Sequence, residues 1–128
     1  MTNLLLDGLL VEPKEHPYEI SIINDEDLMA FNLTENIDDI CEIDIIKIST
    51  SVCIIRNKYA VLNQKSANRK IKNIIIAGNF YIAGINNQGK LTSLTKKQKE
   101  KYITKFWETE TYTDDEIIEI YLDSLFDM

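Results

Sequence analysis

The chain has 128 residues, 45% of them apolar, a formal net charge of −7, and only four glycines and two prolines. That length fits one domain around one core, and the abundance of Ile, Leu, Tyr and Phe excludes a disordered or low-complexity chain. No apolar run approaches the roughly 18 residues of a bilayer span, and Met1-Thr2-Asn3-Leu4-Leu5-Leu6-Asp7 lacks the basic start of a signal peptide, so no membrane association and a cytoplasmic location are expected.

In chain order, Gly8 to Glu12 reads as a first strand stopped by Pro13, and Tyr18 to Ile22 alternates polar and apolar as a second. Asn24 is placed to cap a short helix, Asp25 to Leu33, with acids in its first turn and Leu28, Phe31 and Met29 toward the core. Cys41 to Ile45 alternates, then Ile46-Lys47-Ile48 alternates in the opposite phase, which implies a bulge or burial on both faces. Val52 to Ile55 and Tyr59 to Leu62 flank Arg56-Asn57-Lys58, the pattern of a tight hairpin. Ile74 to Gly84 is the most apolar run and reads as one central strand, with Gly78 marking a bulge or a close backbone approach. Asn86 to Gly89 turns the chain into a short strand, Leu91 to Ser93.

The last two elements carry helix-start signals. Thr95-x-x-Gln98 opens a helix to about Trp107 with Tyr102, Ile103 and Phe106 on one face, and Thr113-x-x-Glu116 opens another with Ile117, Ile118, Tyr121, Leu122 and Leu125 on one side. The expected fold is therefore α+β: a mainly antiparallel sheet of five to six strands, a short N-terminal helix and two C-terminal helices. It forms a single domain over residues 1–128, of which 107–128 are an acidic helical extension.

Charge falls in blocks. Residues 1–44 hold twelve acids against Lys14, residues 45–107 hold thirteen bases against Glu100, and residues 108–128 hold eight acids and no base. Small domains normally intersperse the signs. Either the fold brings the acidic ends onto the basic middle in weak surface pairs, or separate acidic and basic faces steer partners of opposite charge.

Val11-Glu12-Pro13, Asn68-Arg69, Ala77-Gly78-Asn79-Phe80-Tyr81-Ile82, Ser93-Leu94-Thr95 and the helix ending in Lys105-Phe106 occur in an order and spacing that resembles an uncharacterised bacterial family, domain of unknown function 3846. The resemblance covers about residues 9–106 and implies a similar size and a genetic setting in phages, plasmids and conjugative elements. Two features depart from the family pattern. Residues 34–39 are acidic and Gly-free where the family has a Gly-rich turn, and the tail beyond Phe106 is an addition.

No catalytic, cofactor or metal motif is present. His16, the only histidine, precedes Pro17 in an extended segment, and there is no Cys-x-x-Cys, calcium loop, P-loop or dinucleotide signature. Cys41 and Cys53 read as thiols in apolar strands. An enzyme of unfamiliar type would need a pocket gathering His16 or paired carboxylates.

Two charge-based sites remain. Asp115, Glu116, Glu119, Asp123 and Asp127, with Asp25, Asp27, Asp38 and Asp39 as a second patch, form an acidic face that can imitate a phosphate backbone. Lys65, Arg69, Lys70 and Lys72 on a loop, with Lys97, Lys101 and Lys105 at helical spacing, form an alternative nucleic-acid-binding face. The leading expectation is a non-enzymatic accessory protein that binds and inhibits a host protein of nucleic-acid-directed defence, such as a CRISPR or restriction component, without a cofactor. The alternative is a nucleic-acid-associated accessory protein.

Overall fold

Residues 4–34, 38–63 and 65–126 are described by a computed structural model. Among them the elements follow in the order β1 (Leu5–Val11), β2 (Tyr18–Ile23), α1 (Glu26–Asn32), β3 (Ile43–Lys47), β4 (Val52–Asn57), β5 (Ala67–Ile71), β6 (Ile74–Ala77), β7 (Phe80–Ile85), β8 (Leu91–Thr92), α2 (Lys96–Lys105) and α3 (Asp114–Phe126). The main sheet runs β2-β1-β7-β4-β3, with β8 also paired to β7, and β5 and β6 form a separate two-stranded unit. Each of these pairings is antiparallel. The fold is α+β, as the patterning predicts, and its first helix, Glu26–Asn32, follows two strands.

Alternation along the strands divides the core between the two faces of the sheet. Leu9, Val11, Val52, Ile54, Phe80 and Ile82 point to one face, where α2 covers them with Tyr102 and Phe106, and the β5–β6 unit adds Ile71 and Ile76. Leu6, Leu10, Ile22, Cys53, Ile55, Tyr81 and Ala83 point to the other, where α1 contributes Met29 and its flank Leu33. Every residue of β7 is buried, because β4 pairs with it on one side, β1 and then β8 pair with it on the other, and both of its faces are covered. Gly8 in β1 allows close packing, since a Cβ there would lie 2.6 Å from the Ile82 carbonyl oxygen.

Several local expectations are corrected. The run from Ile74 to Gly84 is two strands, not one: Gly78 takes φ +72° and the chain leaves β6 to enter β7. The expected 52–62 hairpin does not form. The Asn57 side chain accepts from the Glu42 and Tyr59 amides and donates to the Ile40 carbonyl, turning residues 59–62 away from the sheet so that β4 pairs with β3 and β7. Residues 67–71, expected as a loop, are β5. The β3 ladder is unbroken from Ile43↔Asn57 to Lys47↔Cys53, so its mixed phase reflects contact on both faces and no bulge. In α1 the capping residue is Asp25, not Asn24. Met29 is buried there, whereas Leu28 and Phe31 face out, Phe31 being 75% exposed.

Candidate functional site

Asn68 and Arg69 set the geometry of the domain's centre. Both are fully buried. The Asn68 amide donates to the carbonyls of Val11 and Gly78, tying β5 to β1 and to the β6–β7 break. The Arg69 guanidinium donates to the Phe106 carbonyl from Nε (3.2 Å) and Nη2 (3.0 Å), to Glu15 O (2.8 Å) and to Asn68 O and Oδ1. Phe106 is the C-cap of α2, so a cation here satisfies an orphan carbonyl and meets the negative end of the helix dipole. Burial pulls the guanidinium below its ordinary pKa, while Glu110 and Tyr112 act in the opposite direction. Glu110 in turn accepts from the Lys70 amide and the Tyr112 hydroxyl. Burial, then the bond to Glu110, raises that phenol.

Arg69 is thereby removed from the expected basic face; its guanidinium is spent on carbonyls inside the fold. Lys65 forms an ion pair with Asp39 at 3.0 Å, both side chains largely buried, which withdraws one candidate from each face. The Lys72 ammonium donates to the Lys47 carbonyl. Lys70, Lys97, Lys101 and Lys105 are exposed, and Lys101 and Lys105 also lie over the Tyr102 ring. Of the acids, Asp25 accepts from the Leu28 amide as the α1 cap, Asp27 and Asp38 are exposed, and Asp127 lies outside the described residues. Two other ion pairs among the described residues, Arg56–Asp44 and Lys99–Glu19, repeat the logic of Lys65–Asp39. Each joins an acid of the first block to a base of the middle block. The expectation of wholly separate charged exteriors is corrected to this extent.

The C-terminal block behaves differently. At about 100° per residue, Asp115, Glu116, Glu119 and Asp123 fall within one arc of α3 of about 100°; Ile117, Ile118, Tyr121, Leu122 and Leu125 lie on the opposite side, with Asp114 of the first turn among them. The acidic arc does not face away from the body. Glu116, Glu119 and Asp123 line a groove of about 500 Å³ whose other side holds Arg56 of β4, Lys58 and Lys70 of β5. Ile120, at the edge of the arc, packs on Ala60, Val61 and Ala77. The opposite arc, Ile117, Ile118, Tyr121, Leu122 and Leu125, is 40–54% exposed. The apolar side that the sequence gathers on this helix is therefore the outward one. At the start of α3 the Thr113 hydroxyl accepts from the Glu116 amide and contacts its carboxylate, close to the expected capping box. In α2 the full box, Thr95 with Gln98, is present.

Arg56 and Lys58 were not among the sequence candidates. The signal that could have found them is the i, i+3, i+7 spacing of Glu116, Glu119 and Asp123, which requires a cationic surface if that arc turns inward. The other notable groups have structural partners. His16 stacks on Trp107 at 3.9 Å and its Nδ1 is 2.7 Å from the Trp107 carbonyl. Cys41 and Cys53 are free thiols, and burial pushes that of Cys53 up to about 11. Among the described residues no cluster of three His, Cys, Asp or Glu is arranged to hold a metal, and no helix is long and apolar enough to cross a membrane.

Residues 6–107 match the family described as domain of unknown function (DUF3846), and the chain belongs to that family. The match takes in the Asn68–Arg69 network, both faces of the sheet and α2, and it ends before α3. No curated protein matches the chain, nor does any solved structure.

Proposed function

We propose that this protein acts by binding and occluding another protein, a component of nucleic-acid-directed host defence, and that α3 is the contact element. The observation that carries the reading is the α3 arc of five large apolar side chains, each 40–54% exposed, on a helix without a single basic residue. Scattered exposed apolar residues are ordinary, but a contiguous stripe marks an interaction surface. A helix of this kind suits an apolar groove, and the absence of bases requires that groove's rim to be cationic, as the rim of a nucleic-acid channel is. A second copy of this chain is disfavoured as the occupant, because it would bring two base-free acidic helices together. The exposed Asp27 and Phe31 of α1, four residues apart and so on one helix face, repeat the combination on a smaller scale. A mobile-element setting, implied by the family resemblance, suits such an inhibitor.

The test is an interference assay. Bacteria carrying a restriction or CRISPR system are transformed with a targeted plasmid, with and without this protein. The parent chain should restore transformation at least tenfold, and Ile118→Asp with Leu122→Asp, both at exposed positions, should abolish the rescue without lowering thermal stability. Rescue that survives the double substitution removes α3 from the mechanism, and absence of rescue in every system removes the defence reading.

One observation favours a second reading. Lys96, Lys97, Lys101 and Lys105 are all exposed on α2, a basic face that could track a phosphate backbone. A low-salt mobility shift by the parent chain, lost on Lys97→Glu with Lys101→Glu, would favour direct nucleic-acid association over protein occlusion.

A further inference from the structure

We propose that the groove between α3 and the β5–β6 unit is a nucleic-acid-backbone site that α3 masks in cis, its carboxylates standing where phosphates would lie. The bases Arg56 and Lys58, at the end of β4, and Lys70 of β5 come from two separate segments and converge on one groove, which three carboxylates of α3 also line. At about 1.5 Å rise per residue, Glu116, Glu119 and Asp123 are stepped by roughly 4.5 and 6 Å along about 10 Å of axis. A ligand replacing them must offer negative charges repeated at a similar pitch. A nucleic-acid strand, with a phosphate about every 3.4 Å of helix axis, meets that requirement where an isolated anion does not.

The mask is loosely held. Among the described residues no ion pair joins Lys58 or Lys70 to the α3 carboxylates, whereas Arg56 is paired with Asp44. A groove of about 500 Å³ stays open between the charged sides, and the apolar hold on the body is Ile120 against Ala60, Val61 and Ala77. The family match ends at residue 107, so the groove bases belong to the family domain and the carboxylates facing them to the extension. This arrangement is that of a basic surface supplied with an intramolecular competitor. It does not depend on what α3's outer arc binds.

The experiment measures binding of a labelled single-stranded oligonucleotide by full-length variants at low salt. Glu116→Gln/Glu119→Gln/Asp123→Asn should bind at least tenfold tighter than the parent. Adding Lys58→Glu and Lys70→Glu should erase the gain. A control with the same charge change elsewhere, Glu26→Gln/Glu42→Gln/Glu108→Gln, all at exposed positions, should bind as the parent does. Ile120→Asp loosens α3 while making the protein more acidic, so a gain there cannot come from net charge, and it also serves if the triple variant misfolds. Gains confined to the α3 variants, and abolished by the lysine changes, support masking. An equal gain in the control, or no gain in either α3 variant, overturns it.

Discussion

Replacing Arg69 by Met keeps an unbranched apolar stem and removes every donor of the guanidinium. The Phe106 and Glu15 carbonyls and Asn68 Oδ1 would lose the bonds they accept at 2.8–3.2 Å in a region the side chain fills without exposure to water. Each buried acceptor left unpaired costs about 1–3 kcal/mol. Relief from burying a cation offsets part of that sum, which leaves a net loss of about 4 kcal/mol. A domain of this size has about 5–15 kcal/mol in all, so R69M should be folded but severely weakened. Arg69→Lys should lose about half as much, because one ammonium cannot reproduce a planar fork that contacts three segments. Equilibrium urea unfolding, followed by tryptophan fluorescence, reads this directly. With a slope of about 2 kcal/mol per molar, the midpoint for R69M should fall by about 2 M. A fall below about 0.5 M for R69M, or equal midpoints for R69M and R69K, would refute the view that this side chain braces the α2 terminus.

Two further outcomes follow from buried groups. Lys65→Met should destabilise by about 3 kcal/mol, because it breaks an ion pair whose two side chains are largely buried; adding Asp39→Asn should recover a good part, a coupling that a double-mutant cycle measures. The Cys53 thiol, raised by burial from 9 to about 11, holds its proton more tightly folded than unfolded. Its contribution is therefore complete below pH 9 and lost as pH rises toward 11, about 2–3 kcal/mol over that window. Cys53→Ala should flatten the stability–pH curve between pH 9 and 11, and an unchanged slope would contradict the assignment.

The sheet's alternation was legible because period-two burial leaves a direct trace: the edges of β1, β2 and α2 fall within a few residues of where the apolar pattern and the capping box put them. The errors share one physical cause. Arg69 reads as a surface cation until one knows that the α2 terminus and the 12–15 turn both bring carbonyls to it, a convergence no local window contains. The 52–62 hairpin was a sound local inference, overruled by Asn57 side-chain bonds to a segment seventeen residues away. Leu28 and Phe31 were assigned inward because a seven-residue helix has too few turns to show which of its apolar residues the sheet will reach. Part of the candidate site was visible as composition, since the base-free acidic tail is plain in the sequence; its orientation was not, because a helix with acids on one arc and apolar residues on the other is ordinarily expected to turn the apolar arc inward.

That inversion has a reason in the packing. Both faces of the sheet are already closed, one by α2 and the β5–β6 unit and the other by α1, and among the described residues the buried cluster on which α3 packs is the small patch of Ala60, Val61 and Ala77. Such a patch accommodates one isoleucine. The nearby bases Arg56, Lys58 and Lys70 then decide which side of Ile120 turns toward the body, and the apolar arc is left facing water. Complete burial of a large apolar side chain contributes about 1.5–3 kcal/mol. With five such residues already about half covered, the arc can still yield about 4–7 kcal/mol on docking. Association itself costs about 4–15 kcal/mol in lost freedom, so the apolar arc alone supports only weak binding. A useful affinity must come from charge across the rim, and the complex should therefore weaken steeply as salt is raised.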